Sequence, residues 1–236
     1  MTMAPAPVSQ RVRVAVLDRI VRGEWAEGTP LPSEAALCRE FGTSRGPVRR
    51  ALAALRAEGA VIGGRGRAPV VGKVVPARPI LDGRSFTDWA LSEGRSPGQR
   101  TLSLDRRPAT SAVAGVLGLD EGGTVVELVR IRMLDGRPVM LERAAFAPDV
   151  GRHLFGFDPD SGSVTTELAR HGVAPAEVRH TVDAVAANRL DAESLGVAVG
   201  TPLLRDRRRS GDASGRAVGL TDARYRPDLA TLTVGA

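Results

Sequence analysis

Two clusters of arginine hold most of the chemistry this sequence could perform. In the run Ser44-Arg45-Gly46-Pro47-Val48-Arg49-Arg50, Arg45 and Arg49 stand four residues apart. On a helix that spacing puts them one turn apart on one face, with Gly46 and Arg50 beside them, while Val48, Leu52 and Leu55 form the opposite apolar face. Such a basic face can enter a major groove, where a guanidinium grips phosphate or pairs bidentately with guanine O6 and N7. Ser44 at the helix start can reach a phosphate, Gly46 permits close approach, and Pro47 falls in the first turn, where its missing N–H is harmless. Arg65 and Arg67, on either side of Gly66, suit a hairpin tip that touches the minor groove or the backbone. The second cluster is Arg130 and Arg132, two apart in Val126-Glu127-Leu128-Val129-Arg130-Ile131-Arg132. On a strand they share a face with Val126 and Leu128, and two guanidinium groups on an apolar face require an anion. Ser163 and Thr165 open a helical segment running through Leu168 to Gly172, and free N–H groups with two hydroxyls can seat a phosphate or carboxylate. The plainer alternative is a solvated edge strand and an ordinary cap.

The elements that must position these residues follow from punctuation and periodicity. Val14, Leu17, Ile20 and Val21 predict a helical stripe ending at Gly23, and Pro30 and Pro32 mark a loop. Ser33 caps a short helix carrying Leu37 and Phe41, stopped by Gly42, and Ser44 caps the next, which ends at Gly59. Val61-Ile62 and Val70 to Val75 predict two strands around the tip 63–67, which gives a winged helix-turn-helix over residues 1–75. Pro76-Ala77-Arg78-Pro79 opens a linker over 76–82, and 83–236 form a second domain. That domain carries an internal repeat: Leu117-Gly118-Leu119 recurs as Leu195-Gly196-Val197, Gly123-Thr124 as Gly200-Thr201, Gly136-Arg137 as Gly215-Arg216, and Phe146-Ala147-Pro148-Asp149 as Tyr225-Arg226-Pro227-Asp228. Each copy runs helix, turn, strand, Gly-containing turn, strand, so a mixed sheet of duplicated halves with helices against it is expected, an α+β architecture. One local question decides where Glu142 points. A two-residue turn at Asp135-Gly136 pairs Arg130 with Leu141, whereas a three-residue loop through Arg137 pairs Arg130 with Glu142.

Charge sorts the two parts. Residues 1–80 hold 13 Lys+Arg against 6 Asp+Glu, and residues 81–236 hold 20 against 21. Basicity confined to one short domain suits a polyanion partner, since neutralised phosphates release counterions. Aromatic residues make up 3% of the chain, so recognition of double-stranded DNA fits better than stacking on single strands. Hydrophobic residues at 42% suffice for a core over 236 residues, and no stretch approaches the ~18 apolar residues of a membrane span. The single cysteine, Cys38, and an N-terminus without a secretory pattern suggest a reducing cytoplasm. Enzyme signals are weak: His153, His171 and His180 lack metal-ligand spacing, and neither a P-loop nor a Gly-x-Ser-x-Gly elbow occurs. No catalytic residue, metal or cofactor is expected.

The segment LPSEAALCREFGTSRGPVRRALAALRAEG, residues 31–59, resembles the DNA-binding domain of the GntR family of bacterial transcription regulators. The resemblance puts Ser44, Arg45, Gly46, Pro47, Arg49, Arg65 and Gly66 at DNA-contact positions. Ala35 departs from the basic residue usual there, and Ala68-Pro69-Val70 from the usual Gly-Thr-aromatic end of the wing. Residues 83–229 resemble the UTRA effector domain of the HutC-type branch, similar in fold to chorismate lyase. Its landmarks are Val129-Arg130-Ile131-Arg132, Gly136-Arg137-Pro138-Val139, Leu141-Glu142-Arg143, Gly162-Ser163-Val164 and Tyr225-Arg226-Pro227-Asp228. The resemblance implies the register that pairs Arg130 with Glu142, and that Glu142 and Tyr225 touch the effector. It also implies an acidic residue near 219, where this chain has Gly219. The expectation is a homodimeric, ligand-responsive regulator, a repressor released from its DNA operator by a small anionic metabolite, a phosphosugar or a carboxylate. The alternatives are an enzyme with a lyase-like second domain and a ligand-blind architectural DNA-binding protein.

Overall fold

The structure, a computed structural model, describes residues 7–63, 68–81 and 83–234 and divides into two compact units, Met1–Val75 and Pro76–Ala236. In the first unit, α1 (Val8–Val21), α2 (Glu34–Glu40) and α3 (Arg45–Ala57) are followed by the strands β1 (Val61–Ile62) and β2 (Val70–Val71), paired antiparallel. The buried stripe of α1 is Val12, Val16 and Ile20, not the stripe through Val14, which is 53% exposed. The four-residue spacing keeps those three side chains over Leu37, Val48, Leu52 and Leu55, the core of the unit. Ser33 caps α2, its Oγ accepting from the Ala36 N–H at 3.2 Å. Ser44 stands at the N-cap of α3 but makes no side-chain capping bond. Strand β2 stops at Val71 rather than Val75. The Gly72 N–H donates to Ala60 O at 2.9 Å, and a Cβ at Gly72 would lie 2.0 Å from Gly59 O, so the chain presses against the end of α3 where only glycine fits.

The second unit runs β3 (Ala77–Pro79), α4 (Phe86–Ser92), β4 (Pro97–Pro108), α5 (Ser111–Leu117), β5 (Thr124–Leu134), β6 (Arg137–Phe146) and α6 (Pro148–Gly151). A 3-10 turn follows (Arg152–Gly156), then α7 (Val164–Arg170), β7 (Glu177–Ala186), α8 (Arg189–Leu195), β8 (Pro202–Gly211), β9 (Ala217–Tyr225) and β10 (Thr231–Thr233). The segment read as a linker is built into this unit: β3 pairs in parallel with β10, and Trp89 Nε1 donates to Ala77 O at 3.0 Å. The six-stranded antiparallel sheet has the order β4-β5-β6-β9-β8-β7. It is two copies of a strand, helix, strand, strand unit joined along β6 and β9, the duplication that the repeated turn residues announce. Helices α5 and α8 both end on a left-handed glycine, Gly118 and Gly196.

The turn between β5 and β6 resolves the question of Glu142 by a third route. Asp135 and Gly136, with φ of 49° and 76°, form a two-residue turn that pairs Leu134 with Arg137. The register then shifts between Arg132 and Met133, so that Met133 faces Pro138 and Arg132 faces Met140. One extra residue in β6 restores the pairing of Arg130 with Glu142 without a three-residue loop.

Candidate functional site

Helix α3 turns its arginines outward. Ser44, Arg45, Gly46, Arg49 and Arg50 are exposed and Pro47 is half-buried, while Val48, Ala51, Leu52 and Leu55 fill the core. Arg49 donates from Nε to Glu34 Oε2 at 2.9 Å with its side chain 64% exposed. An exposed pair of this kind contributes little to stability, so Arg49 can exchange it for a phosphate or a base edge. Arg56 donates to Gly63 O at 2.7 Å and so ties α3 to the start of the wing. Arg65, Gly66 and Arg67 lie outside the described residues.

In the second unit, strand register brings the other candidates together. Residues facing one another across β5, β6, β9, β8 and β7 form rows on one face of the sheet. One row holds Arg132, Met140, Tyr225 and Leu204; the next holds Arg130, Glu142, Ala223, Asp206 and Val182. The third holds Leu128, Ala144, Thr221, Arg208 and His180; the fourth holds Val126, Phe146, Gly219, Ser210 and Val178. Phe86 and Trp89 of α4 cluster with Met140 and Tyr225 of the first row. Val150 of α6 and Val164 and Leu168 of α7 cluster with Leu128 of the third. The charged second row lies between these two apolar clusters. Gln99 and Thr101 on β4 hold the approach to α7 through Asp160 and Gly162, which fixes Ser163 and Thr165 over the face.

The cavity over this face has an outer chamber of about 350 Å³ and a tight inner recess of about 20 Å³, which share Arg78, Arg130, Glu142, Thr165, Arg208 and Thr221. Arg132, Ser163 and Tyr225 line the recess. Ser163 Oγ caps its own helix, accepting from the Thr166 N–H at 3.3 Å. Arg130 donates to Glu142 Oε2 at 2.6 Å, and Arg132 donates to Thr87 Oγ1 at 2.8 Å with its guanidinium 4.6 Å from the centre of the Phe86 ring. Arg78 donates to the Tyr225 hydroxyl, and His180 Nδ1 stands 3.0 Å from both oxygens of Asp206.

Four guanidinium groups, those of Arg78, Arg130, Arg132 and Arg208, thus face two carboxylates, Glu142 and Asp206. Four of their nitrogens, Arg78 Nε, Arg130 Nη1, Arg132 Nε and Arg208 Nε, are buried with no acceptor, an arrangement that costs free energy unless an anion completes it. The imbalance is visible in the titration of the groups. Burial, then the charge of Arg130, lowers the Arg132 pKa to about 10. Burial alone would raise the Glu142 carboxyl, but Arg130, Arg132 and Arg208 together hold it at about 2. Burial raises the Tyr225 hydroxyl above its usual value. The sequence reading brought Arg130, Arg132 and Glu142 together correctly but missed Arg78, Arg208, Asp206 and His180. It found one nearby acid where the structure has two. The signal for Arg208 is the alternation within β8, which places Asp206 and Arg208 on one face and Arg205, Arg207 and Arg209 on the other. Among the described residues, no three His, Cys, Asp or Glu side chains gather as a metal site, and no helix is long and apolar enough to cross a membrane.

The chain matches two family models: bacterial regulatory proteins of the gntR family over residues 8–71, and the UTRA domain over residues 92–231. It is 31% identical over 230 residues to the HTH-type transcriptional repressor PhnF of Mycolicibacterium smegmatis, covering 98% of this chain and 93% of that protein. It is 27% identical over 229 residues to the HTH-type transcriptional repressor NagR of Bacillus subtilis, covering 97% and 94% respectively. The crystal structure of PhnF from Mycobacterium smegmatis superposes with a TM-score of 0.80 at 30% identity, over 95% of this chain and 98% of that one.

Proposed function

Because this chain belongs to the gntR family of bacterial regulatory proteins and carries a UTRA domain, we propose that it is a transcriptional repressor whose second unit binds a small anionic effector through Arg78, Arg130, Arg132 and Arg208. The observation that carries this reading is the surplus of buried guanidinium groups over carboxylates in a cavity at the sheet face. Thr165 and the start of α7 complete the wall, and Glu142 orients Arg130 and accepts from the effector's polar groups. Tyr225 acts chiefly by holding Arg78.

On the DNA side, Arg45, Arg49 and Arg50 read the major groove from α3, Ser44 contacts phosphate with a hydroxyl not spent on capping, and Arg65, Gly66 and Arg67 contribute further DNA contacts. The protein works in the cytoplasm as a homodimer on a two-fold site, since one winged helix covers one half-site. Coupling follows from chain continuity: Arg78 lies on β3, which begins just past the boundary of the DNA-reading unit. An anion that engages Arg78 acts on a strand that β10 holds within the second unit, and it shifts the equilibrium only by its preference for one state.

The test is release from a two-half-site operator in a mobility-shift assay, with a panel of phosphate monoesters and carboxylates preselected by thermal shift. Wild type should be released by at least one of them, and Arg132→Ala should bind operator normally but resist release. Release of Arg132→Ala at the wild-type concentration would contradict the anion site.

A further inference from the structure

The outer chamber changes character across the sheet. Its inner end is Arg130 and Glu142, shared with the recess that Asp206 lines, and beyond the Arg208 row the face is lined by Phe146, Gly219 and Val178. Val150 and Leu168, from α6 and α7, and Val173 close the same end from above. Ser210 is the one side-chain hydroxyl in that last row. Gly219 matters most here. A Cβ at this position would lie 3.1 Å from Phe146 Cδ1, so the ring of Phe146 packs closely against the bare backbone of Gly219. With glycine at 219, this end of the chamber offers no carboxylate to sugar hydroxyls and presents the Phe146 ring instead.

Resting on the anion reading above, we infer that the effector is an anionic amphiphile, a phosphate or carboxylate carried on an aliphatic or aryl body, and not a polyhydroxylated sugar phosphate. Two features drive this. Hydroxyl groups placed against Phe146, Val150, Leu168, Val173 and Val178 lose their water without gaining partners, whereas methylenes gain by the same burial. At about 350 Å³ the outer chamber has the size of a small-ligand pocket; Arg78, Arg130 and Arg208 stand where it meets the recess, and the further lining cation, Arg84, is engaged by Ser92.

The experiment is calorimetry on the full chain with methyl, propyl and hexyl phosphate, with glucose 6-phosphate and with hexanoate. The expected result is affinity rising by up to about fourfold per added methylene along the alkyl series, with glucose 6-phosphate no tighter than methyl phosphate. Val178 is 41% exposed, so Val178→Asn can be made without disturbing the core. It should weaken hexyl phosphate severalfold and leave methyl phosphate unchanged. Equal affinity of methyl and hexyl phosphate, tighter binding of glucose 6-phosphate than of hexyl phosphate, or an unaltered alkyl series in Val178→Asn would overturn the inference while leaving the anion site standing. If neither the phosphates nor hexanoate bind, the anion reading fails and the inference fails with it.

Discussion

The two faces of the six-stranded sheet use arginine in opposite ways. On the face that carries the cavity, four guanidinium groups meet two carboxylates and four of their nitrogens are left without an acceptor. On the other face, arginines are largely answered by acids, although Arg143 Nη1 is also buried without an acceptor. Asp191, fully buried on α8, accepts from Arg143 at 2.8 Å and from Arg224 at 2.6 Å, and it also closes a capping box with Asn188. Asp183 accepts from Arg205 at 2.7 and 2.6 Å, and Arg224 also reaches Asp222 at 2.9 Å. The titration of the groups follows. Burial works against the charge of Arg224, but Asp222 and Asp191 carry its pKa upward, whereas Arg132, among like charges, is lowered to about 10. One residue type on one sheet is thus a structural tie where it is paired and keeps unmet donors where it is not. A buried cation left short of counter-charge is a cost that selection on stability alone would remove.

The largest effect expected from this contrast is on the paired face. Asp191→Ala leaves Arg143 partly buried without its carboxylate and Arg224 with Asp222 alone, and should destabilise the effector unit by about 3 kcal/mol, read as a lower urea midpoint. Effector affinity in the remaining folded protein should be unchanged. On the cavity face the sign reverses. Arg132→Met removes a buried charge crowded by its neighbours while keeping the volume, and should stabilise the unit by about 1 kcal/mol, read as a higher urea midpoint, while abolishing the response to effector. A destabilised Arg132→Met would mean that the arginine is structural.

The cavity face can also be tested by pH. The Glu142 carboxyl is held at about 2 against an ordinary 4.5, so its ionised form stabilises the fold fully above pH 4.5, and that contribution is lost as pH falls from 4.5 towards 2. In Glu142→Gln the urea midpoint should decline less steeply than in wild type across that window and run parallel to it above pH 5. An identical decline in both proteins would show that the arginines do not hold the carboxylate.

Local signals made much of this molecule legible in its sequence. Glycines after helical stripes, the Ser33 cap and the recurring turn residues led to the right helices and to the duplicated sheet. Arg130 and Arg132 were legible as a pair because strand alternation fixes their common face. What stayed hidden depends on distant pairing. Arg78 sits in a Pro-Ala-Arg-Pro stretch that has every mark of a spacer, and it becomes a cavity residue only because β10 pairs with β3. Arg208 lies in the run Arg205-Asp206-Arg207-Arg208-Arg209, which reads as a solvated surface until the sheet shows which alternate residues turn inward. The one-residue bulge in β6 leaves no local mark beyond a turn that fits either register, so the pairing of Glu142 could be read only through the family resemblance. In α1 the apolar spacings of three and one obscure the stricter spacing of four: Ile20 and Leu17 of the expected stripe do meet the core, but Val14 faces outward and Val12 and Val16 take its place.

Arg207 and Arg208 are adjacent in β8 and face opposite sides of the sheet, the first 3.3 Å from Asp183 and the second in the cavity with Nε unpaired. Calorimetric titration of hexyl phosphate into Arg207→Met and Arg208→Met therefore compares the two faces at neighbouring positions, with net charge changed equally. The account predicts that Arg208→Met loses affinity by about tenfold or more, as removal of a charged hydrogen-bond donor requires, while Arg207→Met stays near wild type. Equal losses in the two variants would reduce the effect to overall charge, and a larger loss in Arg207→Met would place the anion on the wrong face of the sheet.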